Sequence, residues 1–403
     1  LNVLTKHRKL VVGNHLLVMH CCVSYGVTTA TVVGAPATVV ALDFGKVDSA
    51  DAVLVRSGFI TDLAPHCAPA ELAHFDPGNR EIYVRVDYLA HLLFLWLRNS
   101  RRAASLGAYA RMVKAKSVIA YDNIPELYDW AKVLPRPIFI VQHGMRQLED
   151  EKHVVDDESN VIFLSWGELQ RDEFKNGLVA RYPNSSHLRR PKKIIPIGSL
   201  RDSMYRAVRG EIAVKQNQIC LISQFKGLDG HGLTMPRERQ MNLDRTAEFT
   251  NQYAIEHNLD VLIALYSDTP ELLKKVKEWY LEKFGDRCRF NDPAVDFATY
   301  FATDESVVSI GVHTSVLWEV FGRGGRILAC NFTGDNIFTF PIPGPWYLHQ
   351  GTYLDFSSRL TALRMMSDGE YQRESGDRPR YLISYDSNNP THQAIGRLLM
   401  EHA

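Results

Sequence analysis

The sequence has no excess of charge of either sign and no long apolar run. Lysine and arginine total 46, as do aspartate and glutamate, so the formal net charge is zero. A neutral chain gives no reason to expect nucleic acid as a partner, because nucleic acid is bound chiefly through opposite charge. The best apolar run, Leu89–Leu97, is about half as long as a membrane-spanning helix. These features predict a globular protein that does not span a membrane.

Cysteines are few, and none of the six lies in a CxxC pair. The spacing that is typical of zinc ribbons and thiol oxidoreductases is therefore missing from the sequence. Scattered cysteines in apolar segments are typical of reduced, buried thiols in a cytoplasmic protein. We expect a cytoplasmic location, no metal site and no bound cofactor.

Basic residues cluster at two places despite the neutral total, namely 98–102 and 189–193. Such clusters are usually solvated, but they could also face anionic lipid head groups. Both interpretations stay open, and the second predicts peripheral contact with a membrane surface.

Short apolar runs alternate with helical segments along most of the chain. Ser117–Tyr121 and Ile138–Val141 are predicted strands with a helix between them, which indicates a right-handed parallel crossover. The same alternation resumes at Ile219, and 403 residues suit two domains better than one. The sequence therefore predicts an α/β protein with two Rossmann-like domains. We place them at residues 1–205 and 206–387, followed by a C-terminal helix at 388–403 that could pack back on the first domain.

One segment, Val307–Asn331, has the pattern of a strand, a turn, a short helix, a glycine stop and a second strand. The turn His313-Thr314-Ser315 would place hydroxyls and free backbone N–H groups at a helix N-terminus, where phosphate is favoured. Glu319 lies one turn further along the same face and could accept hydrogen bonds from both hydroxyls of a ribose. The pattern thus indicates a nucleotide site. The alternative is a capped helix with a solvated glutamate.

A second candidate is the turn Gln142–Arg146, which follows the strand Ile138–Val141. Ligands of open α/β sheets bind at the carboxyl ends of the strands, so His143 is well placed to act as a general base. Alternatively, its ring holds the loop by a hydrogen bond to a carbonyl. Asp122 ends the preceding strand, and it could orient His143, bind an acceptor hydroxyl or simply cap a helix.

A glycine-rich loop follows the strand that opens the second half of the chain. Ser223 and Gln224 lead into it, and it carries Lys226, Asp229 and a histidine. Glycines let a backbone approach phosphate closely, and Lys226 could neutralise the charge. The spacing matches neither a P-loop nor a dinucleotide-binding fingerprint, so a flexible connection with a solvated lysine is an equal alternative.

Taken together, these segments resemble the GT-B glycosyltransferases that build bacterial surface polysaccharides such as O-antigen and capsule. The likeness runs from about residue 117 to residue 346 and rests on short turns in a fixed order: YDN, QHGMR, SWGE, IPIGS, ISQF and HTSVLWEVFGRGGR. The QHG turn is also similar to the histidine loop of teichoic-acid glycerophosphotransferases. The resemblance implies two Rossmann-like domains that face a central cleft, with the acceptor on the first domain and the donor on the second.

The resemblance also implies roles for single residues. Glu319 would bind the donor ribose, and His143 would be the base on the acceptor side. The phosphates would be held by Thr314 and Ser315, with Lys226 or Arg201. The remaining donor-site residues are His313, Ser223 and Gln224. Metal would not be needed, because helix dipoles and cations stabilise the leaving phosphate in this fold.

The implied activity is transfer of a sugar from a nucleotide-sugar to a glycan or a lipid-linked acceptor. A lipid-linked acceptor would bring the protein to the cytoplasmic face of the inner membrane. The segments are also similar to those of Kdo transferases and sialyltransferases, which use CMP-linked donors and an acidic catalytic residue, and for which Asp229 is the candidate here. A UDP-sugar epimerase of the same fold is a further candidate, and so is an inactive binding protein.

Overall fold

A computed structural model describes residues 8–12, 15–22, 27–33, 38–42, 52–55, 72–75, 82–83, 92–93, 95, 101–112, 115–121, 137–145, 160–173, 193–224, 237–265 and 270–401. Within these ranges the strands form three sheets, two of them parallel throughout and six-stranded. Helices accompany both parallel sheets, so the predicted α/β class is confirmed.

The first strands of the chain form a sheet of their own. In chain order the strands before residue 90 are β1 (Arg8–Val12), β2 (His15–Cys22), β3 (Val27–Val33), β4 (Thr38–Leu42), β5 (Ala52–Val55), β6 (Leu72–Phe75) and β7 (Ile82–Tyr83). β1 to β4 pair antiparallel in sequence order, and β7 joins the edge at β4. The segments between β1 and β4 are two to four residues long, too short for a parallel crossover. The predicted first domain therefore begins with an antiparallel meander rather than with strands of its parallel sheet.

The N-terminal parallel sheet continues with β8 (Ser117–Tyr121), β9 (Ile138–Val141), β10 (Val161–Ser165) and β11 (Lys193–Pro196). Its order is β11-β10-β9-β8-β5-β6. β8 and β9 are parallel neighbours, as their spacing in the sequence predicts. β9 and β10 are buried along their whole length, which is typical of strands covered on both faces. Among the described residues of this half, the helices with assigned bounds are α1 (Arg101–Met112), α2 (Glu168–Asp172) and α3 (Leu200–Val208).

The C-terminal parallel sheet contains β12 (Gln218–Ile222), β13 (Asp260–Ala264), β14 (Cys288–Phe290), β15 (Ser309–Gly311), β16 (Ile327–Asn331) and β17 (Tyr347–His349). Its order, β14-β13-β12-β15-β16-β17, is that of a Rossmann sheet, and the order reverses between β12 and β15. The helices after β12 are α4 (Arg237–Glu256), α5 (Pro270–Phe284), α6 (Ala298–Asp304), α7 (Ser315–Gly322), α8 (Tyr353–Met365), α9 (Asp368–Ser375), α10 (Arg378–Leu382) and α11 (Thr391–Glu401).

The chain ends by returning to the N-terminal half, which here denotes the elements from β5 to α3. Ile395 and Leu399 of α11 pack into one apolar cluster with Phe139 and Val141 of β9. The hydroxyl of Thr391 donates to the Ile197 carbonyl oxygen at 2.6 Å. The domain boundary predicted at residues 205 and 206 lies inside α3, and the division itself stays a prediction.

A buried ion network joins the N-terminal half to the C-terminal half, which denotes the elements from β12 to α10. Arg323, at the end of α7, donates to Asp202 of α3 at 2.7 Å and to Asp304 at 3.0 Å. The side chains of Arg323 and Asp202 are only 3% and 1% exposed. Arg206 also bonds to Asp202, at 2.8 Å. Buried charges are costly unless they are paired, so this network fixes α3 against α7.

We predict that Arg323→Leu lowers the free energy of unfolding by about 3 kcal/mol, because it leaves the buried Asp202 with a single cationic partner. This is the low end of the range for breaking a buried pair, since Arg206 remains beside that carboxylate. Urea denaturation followed by circular dichroism measures the change.

The matched control is Arg209→Leu, which removes another partner of Asp304 that is 44% exposed. Exposed pairs contribute little, so its cost should stay below about 1 kcal/mol. Equal losses in both variants would show that burial of the Arg323 network does not govern its strength.

Candidate functional site

The reversal of strand order between β12 and β15 predicts where a ligand would bind. In doubly wound sheets the crevice lies outside the carboxyl ends of the strands at this switch point. Ser223 and Gln224 follow β12, and His313 follows β15 after one intervening residue. The Gln224 side chain accepts a hydrogen bond from the His313 backbone N–H at 2.8 Å, which ties the two strand ends together. A cavity of about 410 Å³ opens there.

Both halves of the chain line this cleft cavity. From the N-terminal half come the turn after β9 and the start of α3, and from the C-terminal half come the switch point, the first turn of α4 and the start of α7. A larger cavity, of about 630 Å³, lies at the opposite edge of the C-terminal sheet, where β15 and β16 begin. Because parallel α/β sheets bind ligands at their carboxyl edge, the cleft cavity is the candidate site.

The turn after β9 is held rigidly by Gln142. The Gln142 side-chain oxygen accepts from the Trp166 backbone N–H at 2.8 Å, and its amide nitrogen donates to the Gly144 carbonyl oxygen at 2.8 Å. The Trp166 indole N–H in turn donates to the Gln142 carbonyl oxygen at 3.1 Å. His143 is exposed on this turn and lines the cavity. The turn therefore presents an imidazole from a fixed backbone to the cleft.

The same turn touches the N-terminus of α7. The Met145 backbone N–H donates to the Ser315 hydroxyl oxygen at 3.1 Å. A Cβ on Gly144 would lie 2.9 Å from that oxygen, so a side chain at this position would crowd the contact. Thr314 caps α7 by accepting from the Val316 backbone N–H at 3.3 Å, as the sequence predicts for a helix start. Hydroxyls and backbone N–H groups thus meet at the positive end of a helix dipole.

Glu319 lies in the wall of the cavity, and it is only 2% exposed. Its Oε1 accepts from the Ser199 hydroxyl at 2.5 Å, and its Oε2 accepts from the Tyr300 hydroxyl at 2.6 Å. Burial, and next the negative charge of Asp202, raise the pKa of Glu319 from its ordinary value near 4.5 to about 7. The alternative of a solvated glutamate is therefore wrong, and the helix presents a buried carboxylate to the cleft.

Two arginines supply positive charge to the cavity. Arg201 lies over the Tyr300 ring, 5.3 Å from its centroid. Arg239 stands in the first turn of α4, and its buried Nε has no hydrogen-bond partner among the described residues. Burial lowers the pKa of His313 to about 4, and the charge of Arg239 adds to the effect. The imidazole of His313 is neutral at neutral pH, so among the described residues that line the cavity the positive charge comes from the arginines.

The structure brings together eight of the predicted site residues. The residues that line the cavity are His143, Arg201, Ser223, Gln224, His313, Thr314, Ser315 and Glu319. Asp122, Lys226 and Asp229 lie outside the described residues. The roles assigned to all eleven stay predictions.

Sequence reasoning missed Gln142, Ser199, Arg239 and Tyr300. A glutamine directly before the candidate histidine, and a serine after Gly198 at a helix start, were signals that could have been used. Arg239 follows the glycine-rich loop, where a cation suits a phosphate. Tyr300 gave no local signal, because its contact with Glu319 depends on how α6 packs on α7.

The described residues contain neither a membrane span nor a metal cluster. No helix among them has the length and apolar character required to cross a membrane. No three of their histidine, cysteine, aspartate and glutamate side chains gather where they could hold a metal ion. The predicted independence from metal stays a prediction.

The chain matches no protein-family model and no curated protein sequence. Several solved structures are similar to the chain at low sequence identity. The co-structure of S. aureus MnaA with UDP has 10% identity and a TM-score of 0.52, over 86% of this chain and 95% of that one. UDP-GlcNAc 2-epimerase from Methanocaldococcus jannaschii, in complex with UDP-GlcNAc and UDP, has 9% identity and a TM-score of 0.50, over 87% and 99%. Wall teichoic acid polymerase TagF has 12% identity and a TM-score of 0.47, over 89% of each chain.

The first two of these likenesses, together with the two parallel sheets, show the GT-B fold. Two Rossmann-like domains face a central cleft, and the predicted fold class is confirmed.

The raised pKa of Glu319 predicts a pH-dependent stability. The folded protein binds this proton more tightly than the unfolded chain, so the carboxyl group favours folding at pH 4.5 and loses that effect as the pH rises through 7. The unfolding free energy of Glu319→Gln, relative to the wild type, should therefore rise by about 3 kcal/mol between pH 4.5 and pH 7.5. Urea denaturation of both proteins across this range measures it.

Glu370→Gln is the control, because hydrogen bonds from Ser367 lower the pKa of that exposed carboxyl instead of raising it. Its unfolding free energy relative to the wild type should therefore not rise toward pH 7.5. The absence of a rise for Glu319→Gln as well would mean that Glu319 ionises normally in the folded protein.

Proposed function

We propose that the chain is a glycosyltransferase that moves a sugar from a nucleotide-sugar donor to a glycan or lipid-linked acceptor in bacterial surface-polysaccharide synthesis. The observation that carries the proposal is the cleft cavity at the β12/β15 switch point. It combines a helix N-terminus, Arg239 and a buried carboxylate from the C-terminal half with Arg201 and a histidine from the N-terminal half.

The donor half of the proposal rests on the start of α7. The helix dipole and the Thr314 and Ser315 hydroxyls favour the diphosphate, and Arg201 and Arg239 add charge that stabilises the departing nucleotide. Glu319 is one helical turn further on and accepts hydrogen bonds from the ribose hydroxyls. No carboxylate pair for a metal is needed in this arrangement, because the cations come from the chain.

The acceptor half rests on His143, which the rigid turn after β9 presents to the cavity from the N-terminal half. Neutral imidazole takes the proton from the acceptor hydroxyl while that oxygen bonds to the anomeric carbon. The bond from the anomeric carbon to the phosphate oxygen breaks, and the nucleoside diphosphate leaves with the electron pair. A lipid-linked acceptor would also bring the chain to the cytoplasmic face of the inner membrane.

The donor proposal predicts that a nucleoside diphosphate raises the apparent melting temperature, since a ligand of the folded state stabilises it by mass action. The panel contains UDP, GDP, dTDP and CDP, together with CMP for the alternative of a CMP-linked donor. UDP comes first because two structures of this fold hold it. Glu319→Gln should weaken binding of the best ligand about tenfold, because it removes the charged acceptor for the ribose.

The exposed Glu370→Gln is again the matched control and should bind as the wild type does. Calorimetry gives both affinities. Equal affinity in Glu319→Gln and wild type would contradict the placement of the ribose, and no binding by any nucleotide would point to an inactive protein.

The acceptor proposal predicts that His143→Asn lowers kcat by about 100-fold or more, the usual contribution of a general base. Donor affinity should not change, because His143 is not among the groups that this proposal assigns to the donor. A coupled assay that measures nucleotide release in the presence of donor and acceptor gives kcat and KM separately.

A change in donor affinity with unchanged kcat would assign His143 to binding instead. Conversion of a UDP-sugar to its epimer in the absence of acceptor would show that the activity is that of an epimerase and not of a transferase. These two outcomes are separated by running the assay with and without acceptor glycan.

A further inference from the structure

We propose that Ser199 competes with the donor ribose for Glu319 and thereby sets how strongly the site prefers a ribonucleotide. The proposal rests on the proposed function, since it concerns the same carboxylate. It adds a specificity-determining residue from the N-terminal half to a site whose ribose-binding group belongs to the C-terminal half.

The first step is the occupancy of the Glu319 carboxylate. Each of its two oxygens already accepts a hydroxyl of the protein, from Ser199 at 2.5 Å and from Tyr300 at 2.6 Å. Glu319 and Ser199 are 2% and 3% exposed, and both line the cleft cavity. Each carboxylate oxygen can accept a second hydrogen bond, but Glu319 is almost completely buried, so a ribose hydroxyl reaches it only where one of the two protein hydroxyls makes room.

The second step is that the Tyr300 hydroxyl is fixed. Tyr300 is fully buried in α6, within the same half as Glu319. Its ring packs on the Tyr205 ring at 5.1 Å, with the Arg201 and Arg323 guanidinium groups each 5.3 Å from its centroid. Moving this hydroxyl would disturb a closely packed aromatic cluster.

The third step is that the Ser199 hydroxyl can withdraw. Ser199 has a single side-chain torsion, so rotation about its Cα–Cβ bond turns the hydroxyl away from Glu319 while α3 stays fixed against α7. The rotation also gives up the cap that its oxygen makes on the Asp202 backbone N–H at 3.2 Å, which is a smaller loss than disturbing the packing around Tyr300. Ser199 is therefore the hydroxyl that a ribose replaces.

Exchange of one hydroxyl for another changes the energetics of ribose recognition. A bond from the ribose to Glu319 is made at the expense of the Ser199 bond, so the wild-type site gains little from the ribose hydroxyls. A ligand without these hydroxyls leaves the Ser199 bond intact. Removing the Ser199 hydroxyl should consequently strengthen binding of a ribonucleotide and leave its dideoxy counterpart unchanged.

The test compares the dissociation constants of UDP and 2′,3′-dideoxy-UDP, with CDP and its dideoxy form as a second pair. In Ser199→Ala the preference for the ribonucleotide should rise about tenfold over the wild type, the effect of one charge-assisted hydrogen bond. Ser199→Gly is the second variant, because glycine retains most of the helix-capping stability that alanine loses. Both variants should raise the ratio of the dideoxy-UDP dissociation constant to the UDP dissociation constant by a similar factor.

Ser203→Ala is the matched control, since it removes a buried hydroxyl of the same helix that contacts His392 and not Glu319. Its ratio should equal that of the wild type. An unchanged or reduced ratio in both Ser199 variants, with UDP or CDP still bound, would overturn the competition and leave the proposed function standing. Absence of binding by every nucleotide in the wild type would remove the proposed function and this inference with it.

Discussion

The carboxylate of Glu319 is hydrogen-bonded by both halves of the molecule. It is buried on α7, and it accepts one hydroxyl from each side, from Ser199 before α3 and from Tyr300 on α6. Burial raises its pKa to about 7, so its charge depends on its partners. The fold brings two protein hydroxyls to this carboxylate, and in the proposed complex a ribose hydroxyl replaces the one from Ser199.

The sheets and the ion network explain why the carboxylate lies there. Reversal of strand order at β12 and β15 opens a crevice at the carboxyl edge, and α7 starts from that crevice. The Arg323 contacts with Asp202 and Asp304 then fix α3 beside α7, which brings Ser199 within reach. The same approach places the turn of His143 against the start of α7. Proposed donor and acceptor groups therefore face one cavity because one interface is fixed.

Local patterns in the sequence predicted the parts of this arrangement that depend on nearby residues. The strand, capped helix and glycine stop around Thr314 and Glu319 follow from short-range rules, and the structure contains them as β15, α7 and β16. The antiparallel pairing of β1 to β4 follows from short connections, which allow little else. The Ser199 contact joins residues 120 positions apart. It depends on the packing of two halves, which no local pattern encodes.

A crystal structure of the protein with a nucleoside diphosphate would test the central claim most directly. The account predicts the diphosphate at the N-terminus of α7 beside Arg239, with both ribose hydroxyls bonded to Glu319 and the Ser199 hydroxyl withdrawn from it. A nucleotide bound in the larger cavity at the opposite edge of the C-terminal sheet, or one bound in the cleft with its ribose remote from Glu319, would contradict the account.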